Sequence, residues 1–262
     1  MLTIAEFFVR YPQYLTLRAL VPDDVIAREL VPRVDDYERW YADAKLRIPQ
    51  ARLCDVLPAE AELGQITLQN FLGHWGNTSV EEVAKLALIV KYLHPRRILE
   101  IGTYNGMTAL QMALNAPAGC TTYTLDLPDD VASQLQLSEL DRLCSIHFRQ
   151  RLGTSTGSYF AGRTDVNVVQ LLGNSANFDY AAAIDGPVDL VFIDAAHDYA
   201  NKKCDSENAL RLLSDRGMIL WHNYADVGSP EVTQYLADLS RTLPIKHLKN
   251  TYLAVYNRGM AT

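Results

Sequence analysis

The sequence has 262 residues, 48% of them hydrophobic and 21% charged, with a formal net charge of −7 at pH 7. This composition is typical of a globular protein long enough for one large domain with an extension, and the negative charge weighs against nucleic-acid binding, which normally uses a basic surface. No run of about 20 apolar residues is present, so the sequence predicts no membrane-spanning helix.

Local features of the sequence predict a cytoplasmic protein. The opening residues lack the basic segment and the small-residue cleavage site of a signal peptide. The four cysteines are scattered and form no C-x-x-C pair, so we expect free thiols. The basic pairs Arg96-Arg97 and Lys202-Lys203 are interpreted as solvated surface positions rather than phosphate contacts.

Residues 1–77 are predicted to form an N-terminal helical extension. Apolar residues recur at helical spacing over 23–30 and 35–46, and no alternation typical of a strand is present. His74 and Trp75 fall in a loop near the end of this extension. We consider both as candidates to fold over a bound ligand.

A longer helix is predicted over 80–93. Two overlapping capping boxes precede it, one pairing Thr78 with Glu81 and the other pairing Ser79 with Glu82. Such a pair satisfies backbone N–H groups that the first turn of a helix leaves without partners.

Residues 78–262 are predicted to form the main domain, because short apolar runs alternate with helical segments from Arg97 onward. This alternation indicates βαβ units and a parallel sheet covered on both faces, and the short turn between the last two runs predicts an antiparallel hairpin. The fold class is therefore α/β, a Rossmann-like doubly wound sheet that is mostly parallel and ends in an antiparallel hairpin. The segment 129–164 is longer than a crossover needs and is interpreted as an insertion. The predicted strands are 97–101, 122–125, 167–172, 190–193, 218–221, 245–248 and 251–256, and the helices among them are 108–115, 199–213 and 230–242.

The loop after the first of these strands carries Gly102 and Gly106. Glycine lets a backbone turn tightly and approach a ligand. A dinucleotide fingerprint would need further glycines where Tyr104 and Met107 stand. The string E-x-G-x-x-x-G, which begins at Glu100, instead resembles motif I of class I methyltransferases.

The resemblance implies S-adenosylmethionine as the cofactor. It implies that Gly102 and Gly106 face the methionine part of the cofactor, with Thr103 and Tyr104 between them. It also implies that Glu100 supports the loop or the amino group of the cofactor. The antiparallel hairpin at the end of the sheet is typical of the same family.

Two further strand ends extend the predicted cofactor site. Asp126 follows the second strand, where a carboxylate can accept hydrogen bonds from both ribose hydroxyls. After the third strand, the family places an acidic or amide residue against the adenine amino group. This implies a cofactor contact for Asn174, with Ser175 beside it.

The ends of the fourth and fifth strands carry Asp194, His197, His222 and Asn223. In a doubly wound sheet these ends open to the same crevice. Asp194, His197 and Tyr199 match the motif D-x-x-H-x-Y of a methyltransferase family that includes macrolide-sugar O-methyltransferases. The resemblance implies that the aspartate binds a divalent metal and that the histidine is the general base.

A second, more distant resemblance is to caffeoyl-coenzyme A and catechol O-methyltransferases. These hold a metal with an aspartate after strand four and an Asp-Asn pair after strand five. Asp194 and Asn223 match, but His222 stands where the second aspartate is expected. Imidazole removes one negative charge and favours a transition metal over magnesium, or no metal. A metal site formed by Asp194, His222 and Asn223 is therefore one of two open interpretations.

The sequence predicts an S-adenosylmethionine-dependent methyltransferase that acts on a hydroxyl of a small molecule by direct displacement. His197 would take the proton and Asp194 would orient the acceptor, with or without a divalent metal. Two alternatives stay open: a non-catalytic module that binds the cofactor or a partner, and an iron-dependent hydroxylase on the same scaffold. No nucleic-acid or membrane partner is expected. A homo-oligomer is left open, because helical extensions in this family often shape the acceptor pocket or form dimer contacts.

Overall fold

The computed structural model describes residues 2–19, 21–57, 64–71, 76–128 and 155–260. His74, Trp75 and most of the predicted insertion 129–164 lie outside the described residues.

The N-terminal segment is helical, as predicted. Its helices are α1 (Ile4–Arg10), α2 (Asp23–Val25), which continues as a π-helical turn over Ile26–Leu30, and α3 (Arg33–Arg47). The predicted helices over 23–30 and 35–46 are thus confirmed, while α1 is not foreseen by the periodicity. Apolar side chains from this segment, including Phe7 and Leu17, form a buried cluster that extends to Val227 near the other end of the chain.

Helix α4 (Val80–Leu93) has the predicted bounds. Oγ of Ser79 accepts a hydrogen bond from the Glu82 N–H at 3.3 Å, and Glu82 Oε2 accepts one from the Ser79 N–H at 3.0 Å. The alternative box with Thr78 is wrong, because the Thr78 hydroxyl is buried and lies 3.1 Å from the hydroxyl of Thr108. The register of the cap is therefore fixed by Ser79, which leaves Thr78 to join α4 to the next helix.

The described part of the main domain forms one sheet with helices between its strands. Its strand order is β1-β7-β8-β6-β5-β2-β3-β4, so the two halves wind outward from the β2–β5 pair, and the predicted doubly wound fold is confirmed. The strands are β1 (Gln50–Ala51), β2 (Arg97–Ile101), β3 (Thr121–Asp126), β4 (Val168–Leu172), β5 (Val188–Ile193), β6 (Leu213–Trp221), β7 (Lys246–Leu248) and β8 (Ala254–Asn257). The helices that follow β2 are α5 (Met107–Asn115), α6 (Tyr180–Ala183), α7 (Tyr199–Leu212) and α8 (Pro230–Leu239).

The end of the sheet contains the predicted antiparallel hairpin. β8 pairs antiparallel with both β6 and β7, whereas β2, β3, β4, β5 and β6 pair in parallel. β1 pairs in parallel with β7, with Gln50 opposite His247. The expectation that residues 1–77 contain no strand is therefore wrong. The boundary between 1–77 and 78–262 stays a prediction.

The central strands are buried because helices cover both faces of the sheet. Every residue of β5 is buried, and its alternate side chains enter two different apolar clusters. Val191 packs with Leu99 on one face, and Phe192 packs with Ile98 on the other. The sequence predicts that the parallel strands are covered on both faces, and β4 departs from this prediction. It is an edge strand, and its residues are at most half-buried.

One basic pair was interpreted wrongly. Lys202 is completely buried, whereas its neighbour Lys203 is exposed. Lys202 lies on the buried face of α7 together with Asp205, Ser206 and Ala209. Adjacent residues of a helix point in different directions, so Lys203 lies on the exposed face.

No helix in the described ranges is both long and apolar enough to cross a bilayer.

Candidate active site at the carboxyl ends of the strands

The loop after β2 begins with Gly102, which has a backbone φ of +102°. Its N–H donates to the carbonyl oxygen of Leu125 at 2.8 Å. A Cβ at this position would lie 2.6 Å from the carbonyl carbon of Asp194, well inside van der Waals contact. Gly102 is thus required for β2 to approach the end of β5, and this brings two of the predicted site segments together.

Asp126 at the end of β3 holds the same loop. Its Oδ2 accepts a hydrogen bond from the Tyr104 N–H at 2.8 Å, and its Oδ1 accepts one from the Leu127 N–H at 2.8 Å. A carboxylate offers about four lone-pair positions, so each of its oxygens can accept more than one hydrogen bond. The predicted cofactor residues Tyr104 and Asp126 are therefore in direct contact.

Gly106 is the N-cap of α5 and has a φ of +83°. A Cβ here would lie 2.6 Å from the ring of Phe160 and 2.9 Å from Cα of Gly157. The N–H of Gly157 also donates to the carbonyl oxygen of Tyr104 at 3.2 Å. The open side of Gly106 is therefore packed against residues 157–160, and its expected contact with the cofactor stays a prediction.

Glu100 is a buried carboxyl group beneath this loop. It accepts a hydrogen bond from the hydroxyl of Thr124, which lies 2.7 Å from the hydroxyl of Thr103. Gln170 Nε2 donates to that Thr103 hydroxyl at 3.0 Å. Burial raises the pKa of Glu100 well above its ordinary value, and the charges of Asp194 and Asp126 act in the same direction against the Thr124 hydrogen bond. Glu100 therefore supports the loop through two threonines.

Asn174 and Ser175 follow β4, at the same end of the sheet as Asp126. Asn174 is exposed, and its Oδ1 accepts a hydrogen bond from the Ala176 N–H at 3.0 Å. The carbonyl oxygen of Ser175 accepts from Nδ2 of Asn208 at 3.0 Å, which ties this loop to α7. The predicted contact of these two residues with adenine stays a prediction.

Asp194 and His222 follow the neighbouring strands β5 and β6. Nδ1 of His222 lies 2.9 Å from Oδ1 of Asp194 and 3.0 Å from Oδ1 of Asn223. The predicted convergence of these three residues is therefore observed. Because β5 and β6 are parallel and paired in register from Leu190 onward, their carboxyl ends present these side chains together.

Glu82 is a site residue that the sequence does not reveal. Its Oε2 lies 3.5 Å from Nε2 of His222, and its Oε1 accepts a hydrogen bond from the Tyr252 N–H at 2.7 Å. Burial would raise the pKa of Glu82, but His222, Ser79 and the Tyr252 N–H lower it to about 2. The capping box predicts the contact with Ser79 and carries no signal for the contact with His222.

His197 lies beside this group, at the start of α7. Its Nε2 is 2.9 Å from Oδ1 of Asn223. Asn223 has a left-handed backbone with φ of +64°, and its Nδ2 donates to Oδ2 of Asp226 at 3.2 Å. The side-chain amide of Asn223 therefore joins His197 and His222 to Asp226, which holds the loop after β6.

The N-terminal segment reaches the same loop. The hydroxyl of Tyr14 donates to the carboxylate of Asp226 and accepts from the Gly228 N–H at 2.9 Å. Arg33 Nη1 donates to the carbonyl oxygen of Gly228 at 2.7 Å. Residues far apart in sequence thus fix the segment that carries Asn223, and no local motif predicts them.

The predicted metal ligands do not fit a magnesium ion. Magnesium prefers a near-octahedral shell of oxygen ligands. Here the central atom of the group is an imidazole nitrogen, Nδ1 of His222, which already lies at hydrogen-bonding distance from the oxygens of Asp194 and Asn223. Among the described residues, no three His, Cys, Asp or Glu side chains form a group that could hold a metal ion.

The acidic side chains fit a cationic cofactor better. Asp194 and Asp126 lie close enough to Glu100 for their charges to raise its pKa, in addition to the larger effect of burial. S-adenosylmethionine carries a positive sulfonium and, at neutral pH, a positive amino group. Asp126 has acceptor capacity for its ribose, and Glu100 lies beneath the loop predicted to hold its methionine part.

Comparison with known proteins identifies the class. A methyltransferase domain model matches residues 99–224, just under half of the chain, and this range runs from β2 to the loop after β6. A search among curated proteins found no match to the sequence. The matched range includes all of the predicted site residues, from Glu100 to Asn223. The domain is therefore a class I methyltransferase domain.

Solved structures with a similar fold include other methyltransferases. One is TomG of Streptomyces achromogenes, an O-methyltransferase in complex with SAM (18% identity, 68% of this chain and 79% of that chain, TM-score 0.45). Another is the Bacillus cereus O-methyltransferase in complex with SAH (19% identity, 88% and 94%, TM-score 0.46). A third is the SAH-bound methyltransferase PaMTH1 of Podospora anserina (18% identity, 84% and 86%, TM-score 0.45). Identities this low do not transfer an acceptor or a metal to this chain.

The chain is an S-adenosylmethionine-dependent methyltransferase. The motif at Glu100–Gly106, predicted from the sequence, lies within the matched domain.

Proposed function

We propose that this protein transfers a methyl group from S-adenosylmethionine to a hydroxyl group of a small molecule. The observation that carries the proposal is the contact of His197 Nε2 with Asn223 Oδ1, at 2.9 Å, next to the Asp194–His222 pair. This places an exposed imidazole and a half-buried carboxylate at one edge of the sheet. A base and an orienting group are what a hydroxyl acceptor needs in order to react.

The cofactor, when bound, supplies a methyl group on a positively charged sulfonium. In the proposal Asp126 accepts hydrogen bonds from the ribose hydroxyls, Asp194 attracts the positive end of the methionine part, and Glu100 supports the loop that holds it. Asn174 and Ser175 contact the adenine in this proposal. Thr103 and Tyr104 supply the loop backbone between Gly102 and Gly106, which faces the methionine part of the cofactor.

The hydrogen bond with Asn223 orients the ring of His197. An amide oxygen only accepts, so Nε2 of His197 carries a hydrogen in this contact. We propose that the imidazole of His197 takes the proton of the acceptor hydroxyl. Asp194 orients that hydroxyl for in-line attack. A placed base of this kind typically contributes about 10²–10⁴-fold to the rate.

The test is a methyl-transfer assay with isotopically labelled cofactor and three sets of acceptors, which are phenols, sugars, and amines. A labelled O-methyl product from a hydroxyl acceptor, lost in His197→Ala, is the expected result. Transfer to amines alone would contradict the hydroxyl acceptor. Tight cofactor binding with no product from any set would favour the non-catalytic alternative.

A further inference from the structure

His222 lies between two carboxylates that come from distant parts of the chain. Its Nδ1 is 2.9 Å from Asp194 Oδ1, and its Nε2 is 3.5 Å from Glu82 Oε2. The His222 side chain is 13% exposed and that of Glu82 is 3% exposed. The two acidic groups therefore face the same ring from opposite sides with little water between them.

The partners of the ring determine its charge. Nδ1 of His222 lies at hydrogen-bonding distance from two oxygens that can only accept, so it carries a hydrogen. Nε2 makes no hydrogen bond to a described residue, and its 3.5 Å separation from Glu82 Oε2 is an ion-pair contact. A neutral imidazole would leave both carboxylates without a cation in contact, which is costly for buried charges. Burial by itself would lower the pKa of His222, but Asp194 and Glu82 more than offset it and raise the pKa well above its ordinary value.

The other groups around the ring do not oppose this charge. Asn223 presents its amide oxygen, and the aromatic rings of Phe192 and Tyr252 have centroids 6.2 and 6.5 Å from the imidazole. Among the described residues, His222 is the only cationic side chain that pairs with Glu82 or Asp194 within 4 Å, and the buried Lys202 interacts with the charge of Asp194 from farther away.

We infer that His222, as a fixed cation between Asp194 and Glu82, holds the oxygens that a divalent metal would otherwise hold together, so that methyl transfer needs no metal. The inference rests on the proposed function. His222 is a positioning residue in this account: it holds the oxygens of Asp194 and Asn223, and Asn223 in turn holds His197. The histidine that departs from the family pattern is therefore the residue that holds Asp194 and Asn223 in position.

The experiment measures metal binding by the full chain after treatment with a chelator, in the presence of S-adenosylhomocysteine. Calorimetric titration with Mg²⁺, Mn²⁺ and Zn²⁺ should show no saturable site in the wild type. The variant His222→Asp restores the acidic residue of the resembled family and should gain a Mn²⁺ site at least tenfold tighter than any in the wild type. His94→Asp, at an exposed histidine, is the matched control and should gain none.

Each result decides the inference. One tightly bound metal per chain in the wild type, lost in His222→Asn, would overturn it. If His222→Asp does not fold, the wild-type titration still decides, together with the ¹⁵N shifts of the His222 ring, which should show both nitrogens protonated at pH 8. A neutral ring at that pH would also overturn it. Binding of S-adenosylhomocysteine in the same samples reports separately on the proposed function, because it needs no metal and no acceptor.

Discussion

The hydroxyl of Tyr14 donates a hydrogen bond to the carboxylate of Asp226, on the loop that follows β6. Asp226 also accepts from Nδ2 of Asn223 at 3.2 Å, so this contact connects the N-terminal helices with a residue beside His197. Burial and the nearby carboxylate raise the pKa of Tyr14 well above its ordinary value, so its hydroxyl stays neutral and keeps the proton that it donates to Asp226.

Tyr14→Phe should weaken both the fold and the site, since it removes this donor and leaves the aromatic packing against Phe7 in place. A hydrogen bond to a charged group contributes about 1.5–3 kcal/mol, which is the expected loss in the free energy of unfolding by urea. Tyr92→Phe, near the far end of α4, should change it by less than about 0.5 kcal/mol. Equal losses in the two variants would contradict the role given to Tyr14.

Gly102→Ala should be more damaging than Gly119→Ala. Both glycines have positive φ, +102° and +85°, so both variants carry the backbone strain of a left-handed residue. Only at Gly102 does the added Cβ meet the backbone of Asp194, while no atom among the described residues lies within 4 Å at Gly119. We expect Gly102→Ala to lose about 1–3 kcal/mol more in urea unfolding. A loss no greater than that of Gly119→Ala would show that the loop can move away from β5.

Glu100→Gln should change how stability depends on pH in the absence of cofactor. Because the pKa of Glu100 is raised in the folded protein, the native state keeps a proton that the unfolded chain releases near its ordinary pKa of about 4.3. The stability that comes from this group is complete below that value and is lost as the pH rises through the raised pKa, by up to about 1.4 kcal/mol per pH unit.

Glutamine can still accept from Thr124 and does not titrate, so it escapes this loss. The difference in unfolding free energy, variant minus wild type, should therefore increase from pH 5 to pH 8. A difference that stays constant over this range would mean that Glu100 titrates normally.

His197→Ala should lower turnover by about 10²–10⁴-fold while cofactor affinity stays unchanged, because the proposal assigns His197 to the proton of the acceptor and not to the cofactor. The same assay on His94→Ala, which changes an exposed histidine outside the site, should give wild-type turnover. Unchanged turnover in His197→Ala would remove this residue from the mechanism.

The sequence predicts best those features that have a local cause. The bounds of α4 and β2 agree with prediction to the residue, because a capping box marks the start of α4 and a continuous apolar run defines β2. β1 escapes prediction because it has only the residues Gln50 and Ala51 and exists through its backbone pairing with β7. A strand this short carries no periodicity to read.

The residues of the candidate site also fall into those that the sequence predicts and those that it does not. Asp194, His222 and Asn223 could be placed together because they follow adjacent parallel strands. Glu82 and Tyr14 could not, because each reaches the site from a helical segment far away in sequence, and a capping glutamate or a helical tyrosine is not unusual by itself. Long-range contacts of this kind depend on the packed fold.

The central claim is most directly tested by thermal unfolding of the full chain with and without S-adenosylmethionine. A ligand at 100 times its dissociation constant stabilises by about 2.7 kcal/mol, which corresponds here to a rise in Tm of roughly 5–10 °C. We predict that rise for the wild type and a smaller one for Asp126→Asn, which lacks one of the two acceptor oxygens. No rise in the wild type at millimolar cofactor would mean that the Glu100–Gly106 loop does not bind S-adenosylmethionine, and would contradict the account.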